Sequence, residues 1–439
     1  MNIDTFIKQN NYHVFYLCND PERGLGLNFI SDNFHIVCID HTDVFEKLDL
    51  EYPGQHFCLE KFTKNYNSIY RSTNELLNNS DSMDFIDSFD GEKYIQVFKV
   101  SPQIENRCKD LNLRLLNNSA KLSQYFEDKF NLTDVLTNAN LDDFIPNTYL
   151  TDISQVSYEN SKHIVVQLNR GHTGDGTWII KSNHDLEEIK EKLFHAEVKV
   201  TEFLEGIPVN ANGIVTRNGT YVGGLNRQIQ DNTNKIAPHP GVTLGNSYDL
   251  SFLNSETKSN IISLIQKLGD FMSTKGYKGF FGIDLMILPP MNILNDNEGA
   301  GLIKIIEINA RQTANVGFFN ELQFRNNISP TLSELNLASF FNINTSGDVD
   351  NYNNINFSNF EAGQIIIRNY LGRSINYSDL KLDKEFDKFK IHKRNDNHII
   401  KEEQEIFRMQ SFSENPLNEN GDIRNNLFDY IANKLELIN

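Results

Sequence analysis

Glu307-Ile308-Asn309-Ala310-Arg311 sets a carboxylate, an amide and a guanidinium at alternate positions. Alternate side chains of an extended strand share a face, so these three face one way while Ile306 and Ile308 face the core. This holds provided the extended geometry persists to Arg311. Gly282-Ile283-Asp284-Leu285-Met286 precedes it. If the two segments pair as an antiparallel hairpin, Asp284 meets Glu307 across the ladder. Two carboxylates and an amide oxygen converging in a partly apolar setting need compensation. A hard divalent cation supplies it: Mg²⁺, with Mn²⁺ as the alternative ion, takes oxygen ligands and completes its shell with substrate phosphates. Arg311, just beyond, suits an anionic oxygen that is transferred or developing. The plainer alternative pairs Asp284 and Glu307 with Arg or Lys on a solvated sheet face.

Upstream, Asn169-Arg170-Gly171-His172-Thr173-Gly174-Asp175-Gly176-Thr177 is a glycine-rich loop between two apolar runs. Such a loop can fold over phosphates, because glycine lets backbone N–H groups approach the anion. It lacks the Gly-Lys-Ser/Thr that opens a helix in a Walker loop, and a hairpin turn is the alternative reading. Thr201-Glu202-Phe203-Leu204-Glu205-Gly206 ends a strand in a turn, where backbone groups could meet an adenine edge or simply finish the strand.

These segments need scaffolding. Tyr12–Cys18 and Phe34–Asp40 read as buried strands of a small α/β unit, and Gly24–Leu27 reads as a tight turn without a dinucleotide fingerprint. Helical periodicity runs from Leu111 to Phe130, with Ser119 as a candidate N-cap. Strands are expected at His163–Leu168, Trp178–Lys181, Val198–Leu204, Ala211–Thr216, Tyr221–Gln230, Gly279–Leu288 and Leu302–Asn309. Helices are expected at Asp185–His195 and Ser255–Lys275. Asn342–Asn359 reads as a loop, Glu361–Arg368 as a strand and Asp422–Ile438 as a final helix.

A chain of 439 residues has room for two or three domains with ample core. Hydrophobic content of 39% with 23% charge is a globular composition, and no apolar run is long enough to span a membrane. The N-terminus has no secretory-signal pattern. Lys plus Arg is 41 and Asp plus Glu 59, a net charge of 41 − 59 = −18, which argues against nucleic-acid or anionic-membrane partners. Cys18, Cys38, Cys58 and Cys108 form no CxxC pair and read as reduced cytoplasmic thiols.

The order of these segments, from roughly Lys121 to Asn315, resembles the ATP-grasp superfamily. Glu307-x-Asn309-x-Arg311 with Asp284 on the preceding strand is the most specific part. It is most similar to the biotin-carboxylase-like and amino-acid-ligase branches. The resemblance implies an α/β and α+β chain in four parts: an N-terminal α/β domain (1–118), a lid subdomain carrying the flap (119–200), a core subdomain with the metal site (201–345) and a small C-terminal domain (346–439). It implies a cytoplasmic ADP-forming ligase that joins a small acid, an amino acid or short peptide, to an amine through an acyl phosphate. A homodimer is left open.

In that family's pattern Asp284, Glu307 and Asn309 would hold Mg²⁺ ions bridging the β- and γ-phosphates of ATP. Arg311 would steady the acyl phosphate or the acceptor's carboxylate, and Arg227 would face the phosphates from a neighbouring strand. Lys121 fits the early phosphate-reaching lysine, its alternative being an ordinary surface lysine. Gly171, His172, Thr173, Gly174 and Gly176 would belong to the flap, and Glu202, Phe203 and Leu204 to the adenine hinge. The chain departs from the pattern at Gln167, where a second phosphate-contacting lysine is usual, with Arg170, His172 or Lys235 as compensating candidates. It departs again at Thr201 in place of a hinge glutamate and at Pro208 in place of a ribose-binding one, with Asn210 nearby. Arg368 resembles an arginine that reaches the site from the C-terminal domain, or is a surface residue. A kinase of a small molecule, a non-catalytic nucleotide-binding scaffold and a bicarbonate-using carboxylase subunit are the alternative functions.

Overall fold

The N-terminal apolar runs build a parallel sheet in the computed structural model, which describes residues 2–64, 66, 72–159, 162–169, 176–231, 233, 235–237, 242–288, 302–345, 349–356, 359–377, 380–394 and 399–436. Strands β1 (Tyr12–Cys18), β2 (Phe34–Cys38), β3 (Phe57–Cys58), β4 (Glu92–Val97) and β5 (Arg114–Leu115) lie in the order β3-β2-β1-β4-β5. All of the pairings are parallel. Parallel sheets are covered on both faces, which is why β1 and β2 read as nearly unbroken apolar runs. Cys18, Cys38 and Cys58 stand level on adjacent strands, and all four cysteines are buried and free. The Gly24–Leu27 region is a turn as expected: a short 3₁₀ segment, Pro21–Gly24, capped by Asp20.

A second, antiparallel sheet holds β6 (Thr148–Asp152), β7 (Ile164–Gln167), β8 (Thr177–Ile180) and β9 (Glu197–Glu202) in the order β6-β9-β7-β8. Val166, Ile180, Val198 and Val200 pack one face against Leu186 and Ile189 of the helix Asn183–Leu193. Alternation therefore turns Gln167, Lys199 and Thr201 to the opposite face, away from this core.

The third sheet is the largest. Its strands are β10 (Ile207–Thr216), β11 (Gly219–Gln230), β12 (Thr243–Ser247), β13 (Gly279–Leu288), β14 (Leu302–Asn309) and β15 (Gly363–Arg368). After a small pair, β16 (Ile375–Asn376) with β19 (Ile399–Ile400), it adds β17 (Glu385–Phe386), β18 (Phe389–Lys393) and β20 (Glu405–Ser411). The order is β14-β13-β10-β11-β12-β15-β20-β18-β17. The segments on either side of residue 345 thus share one continuous sheet, joined where β12 pairs with β15. Phe281, Ile283, Leu285, Ile303, Ile305 and Ile308 bury against the helix Ser255–Thr274, whose Asn254 cap accepts from the Thr257 N–H. About 25 cal/mol per Å² of buried apolar surface makes this packing the main term holding β13 and β14 in register.

Two expectations are corrected. The Asn-rich stretch is not all loop: Val349–Asn356 is a helix, because Tyr352, Asn353 and Asn356 are buried. Asn353 accepts the Val222 backbone N–H at 2.7 Å, and Gln323 donates to Asn356 at 2.6 Å, so tertiary hydrogen bonds override low helix propensity. Ile306 does not face the core with Ile308. The pairing shifts between Asp284↔Glu307 and Leu285↔Ile305, which leaves Ile306 as a β-bulge. Among the described residues no helix is long and apolar enough to cross a membrane.

Candidate active site

The bulge at Ile306 decides where the chemistry goes. Ile303 and Ile305 point into the core, and unbroken alternation would send Glu307 and Asn309 there as well. The extra residue resets the phase, so that Glu307 and Asn309 face Asp284 while Ile308 returns to the core. Gly282 opposes Asn309 on this face, and a Cβ there would lie 2.1 Å from Thr313 Cγ2, so the close approach requires glycine.

The Asp284 carboxylate is held by amides. Its Oδ1 accepts from Asn210 Nδ2 at 2.7 Å and Gln228 Nε2 at 3.0 Å, and its Oδ2 accepts from Asn309 Nδ2 at 3.1 Å. These donors occupy three of about four acceptor positions. Burial, and then the Glu307 charge, push the Asp284 carboxyl up to about 6, against the pull of Asn210, Arg311 and Asn309. The amide contacts continue across the sheet. Asn226 donates to the Asn210 carbonyl, Asn246 to Asn226, Gln364 to Asn246 and Gln410 to Gln364. Gln410 then reaches Glu22, which pairs with Arg408.

Among the described residues no group of three His, Cys, Asp or Glu side chains could hold a metal; the set here is two carboxylates and an amide. Its chemistry fits a hard divalent cation: every donor is oxygen, and the Asp284 carboxyl is raised by a like charge whose effect a cation would reverse.

Arg311 stays at the site, but not on an extended strand. β14 ends at Asn309, and the Arg311 N–H donates to the Asn309 carbonyl at 2.7 Å. The guanidinium Nη2 donates to Asn309 Oδ1 at 2.7 Å, and Nε lies 3.1 Å from Glu127 Oε1. Lys99 Nζ is 2.9 Å from the other Glu127 oxygen. Both cations line a cleft between the N-terminal sheet and the core, together with Gln96, Asn117 and Tyr277.

A basic wall faces the carboxylates, and its lysines are not those the sequence suggested. Lys121 is exposed on the helix Ala120–Glu127. The lysine at the site is Lys129, buried, with Nζ 3.7 Å from Glu307 Oε2. Asp128 fixes it: Oδ1 accepts the Phe130 and Asn131 N–H groups, and Oδ2 accepts from Asn169 at the end of β7. The aspartate-turn residue before Lys129 is the signal that could have found it. Lys199 on β9 is buried too. Burial first, and then the Lys129 charge, bring its ammonium down to about 8, against the pull of Glu307. Gln167 is directly opposite Lys199 in the ladder and donates to Thr177 Oγ1 at 3.3 Å.

The other expected residues divide. Gly176, with φ +74°, closes the β7–β8 hairpin, where the Leu168 N–H donates to its carbonyl. Arg170, Gly171, His172, Thr173 and Gly174 lie outside the described residues. Glu202 ends β9 and clamps Asn147, accepting its backbone N–H and its side-chain amide, both at 3.0 Å. Phe203 and Leu204 follow outside the strand, the Phe203 N–H donating to the His163 carbonyl. Asn210 corrects a second expectation, because it serves Asp284 rather than a sugar position. Arg227 is not brought to the cluster. Strand alternation turns it from Asn226 and Gln228 toward Phe252, with Asp422 and Asp249 as the nearby charges. Arg368 bonds the Glu403 carbonyl, and Lys235 lies over the Phe428 ring. Asn226, Gln228, Lys129 and Lys199 are the residues that the sequence reading missed.

Comparison with known proteins bears on the domain and the fold. The family model described as the ATP-grasp domain matches residues 126–315. No curated protein sequence matches the chain. Among solved structures, N5-carboxyaminoimidazole synthetase from Staphylococcus aureus complexed with ADP is similar, with a TM-score of 0.57 at 12% identity over 97% of this chain and 98% of that one. L-amino acid ligase from Bacillus licheniformis gives 0.55 at 12% over 98% of both chains. Biotin carboxylase from Campylobacter jejuni gives 0.59 at 12% over 92% of this chain and 87% of that one. At such identities the likeness is one of fold. Residues 126–315 of this chain form an ATP-grasp domain.

Proposed function

We propose that the chain is a Mg-ATP-dependent ligase that activates the carboxylate of a small acid as an acyl phosphate and passes it to an amine. The observation that carries this reading is the facing of Asp284 and Glu307 across one rung, with Lys129 opposite and Arg311 alongside. Asp284, Glu307 and the oxygen of Asn309 would hold Mg²⁺, which would neutralise phosphate charge. Phosphoryl transfer needs mostly positioning and charge stabilisation, which is what such an array offers.

The acid substrate fits the cleft beside Arg311. Glu127 already sits between Lys99 and Arg311 at carboxylate distance, so a substrate carboxylate would compete with it for these cations. A substrate carboxylate oxygen would attack the γ-phosphorus as the bond to ADP breaks. The amine would then attack the carbonyl carbon, losing a proton as phosphate leaves. Asn309, bonded both to Asp284 and to Arg311, ties the carboxylate pair to the acid's end of the site. The buried free cysteines are compatible with a cytoplasmic enzyme.

The test supplies Mg-ATP with pools of acids and amines, measures phosphate release and weighs the products. Release that needs both an acid and an amine, with a product lighter than their sum by one water, supports ligation. A product heavier by a phosphoryl group would make the chain a kinase. Incorporation of bicarbonate would make it a carboxylase, and tight ATP binding without turnover a scaffold.

A further inference from the structure

Lys199 is 5% exposed, and among the described residues its ammonium has no hydrogen-bond or ion-pair partner. It shares its surroundings with Lys129, 8% exposed, and with one carboxylate, Glu307, which already lies 3.7 Å from Lys129. Two buried cations on one carboxylate leave an excess positive charge, and removing an ammonium from water without a partner is costly. Nothing in the packing needs Lys199 there. The apolar face of β9 is the other one, carried by Val198 and Val200. An anion of more than one charge would resolve the excess.

The register says where that anion sits. Lys199 is level with Gln167 on β7, Gln167 is level with Thr177 on β8, and all three share the face turned from the small core. Gln167 spends its amide on Thr177 and brings no charge. Among the described residues Lys199 is the buried cation on this face of the sheet. It stands at the rung that ends β7 and begins β8, within the field of Glu307 on β14.

We infer that Lys199 is a phosphate-binding residue, which takes from β9 the charge that Gln167 does not provide on β7 and pairs with Lys129 around the terminal phosphates of a nucleoside triphosphate. The inference rests on the proposed binding of Mg-ATP at Asp284 and Glu307.

Calorimetric titration with ATP and with AMP, both in Mg²⁺, tests it on the full-length protein. K199Q should weaken ATP about 10- to 100-fold, the loss of one charge-assisted hydrogen bond at about tenfold per 1.4 kcal/mol, and leave AMP unchanged. The ligand-free K199M protein should melt no lower than wild type, because an unpaired buried charge has gone. The double variant Q167K/K199Q, which moves the ammonium across one rung, should recover ATP affinity. ATP bound equally well by wild type and K199Q would overturn the inference alone. So would equal losses for ATP and AMP with a lowered melting temperature, which would mean a structural lysine. Absence of ATP binding by wild type would overturn the proposed function and this inference with it.

Discussion

The two walls of the candidate site, the carboxylates of β13 and β14 and the lysines that approach Glu307, hold their charges differently. On β13, Asp284 is gripped by amides from β10, β11 and β14, and one of them, Asn210, is joined to a chain of amide contacts that reaches Glu22. On the other wall Lys199 has no partner among the described residues, and Lys129 has only a 3.7 Å contact. The acidic wall is set before anything binds, whereas the basic wall is completed by what binds. Preorganised groups act without rearranging, and unsatisfied ones contribute affinity because the free protein bears their desolvation.

Changes on the acidic wall should therefore act on rate and on the Mg²⁺ dependence of binding, and changes on the basic wall on the affinity for the nucleotide itself. The largest effect is expected for Glu307→Gln: turnover should fall on the order of 10²–10³-fold while circular dichroism and melting remain those of wild type. Full activity in that variant would remove the acidic wall from the mechanism. Arg311→Lys comes next, at about 100-fold in kcat, since lysine cannot bridge Asn309 and Glu127 together. Lys129→Met should raise the Kd for ATP about 10- to 100-fold, whereas Lys121→Ala should leave it unchanged. The reverse pattern would restore the helix lysine and dissolve the contrast. Asn210→Ala, which strips one donor from the half-buried Asp284 carboxylate, should cost about 1 kcal/mol in a urea titration.

The smallest effect lies away from both walls. His35 and His56 are buried in the N-terminal sheet, and desolvation holds them down to about 3 and about 4. His56 Nδ1 accepts the Ile36 N–H, which requires a neutral ring edge. Unfolded histidine binds protons near pH 6.5 and these folded ones do not, so stability should fall as pH drops from about 6.5 toward 4. The slope should be shallower in His35→Gln.

The strands Gly279–Leu288 and Leu302–Asn309 and the helix from Ser255 were legible because apolar periodicity and caps are local. So was the meeting of Asp284 with Glu307, which needs only a hairpin and an alternation rule. The bulge at Ile306 was not, since nothing in Ile305-Ile306 marks which isoleucine is extra until β13 sets the register. Lys199 was hidden for a related reason. Val198-Lys199-Val200 looks like any strand with a solvated lysine, and only the pairing with β7 and the approach of Glu307 bury it. Arg227 shows the opposite failure: a cation on a strand beside the cluster, one residue out of phase with it. Asn226 and Asn246 carried no signal in the sequence, yet they belong to the chain of amides that leads to Asn210 and Asp284.

The proposed chemistry requires Asp284 and Glu307 to receive a metal that carries nucleotide phosphates. The direct measurement is ATP affinity with and without Mg²⁺, in wild type and in D284N/E307Q. Mg²⁺ should tighten binding in wild type and make no difference in the double variant. A wild-type affinity indifferent to Mg²⁺, or a double variant that responds to the ion as wild type does, would contradict it.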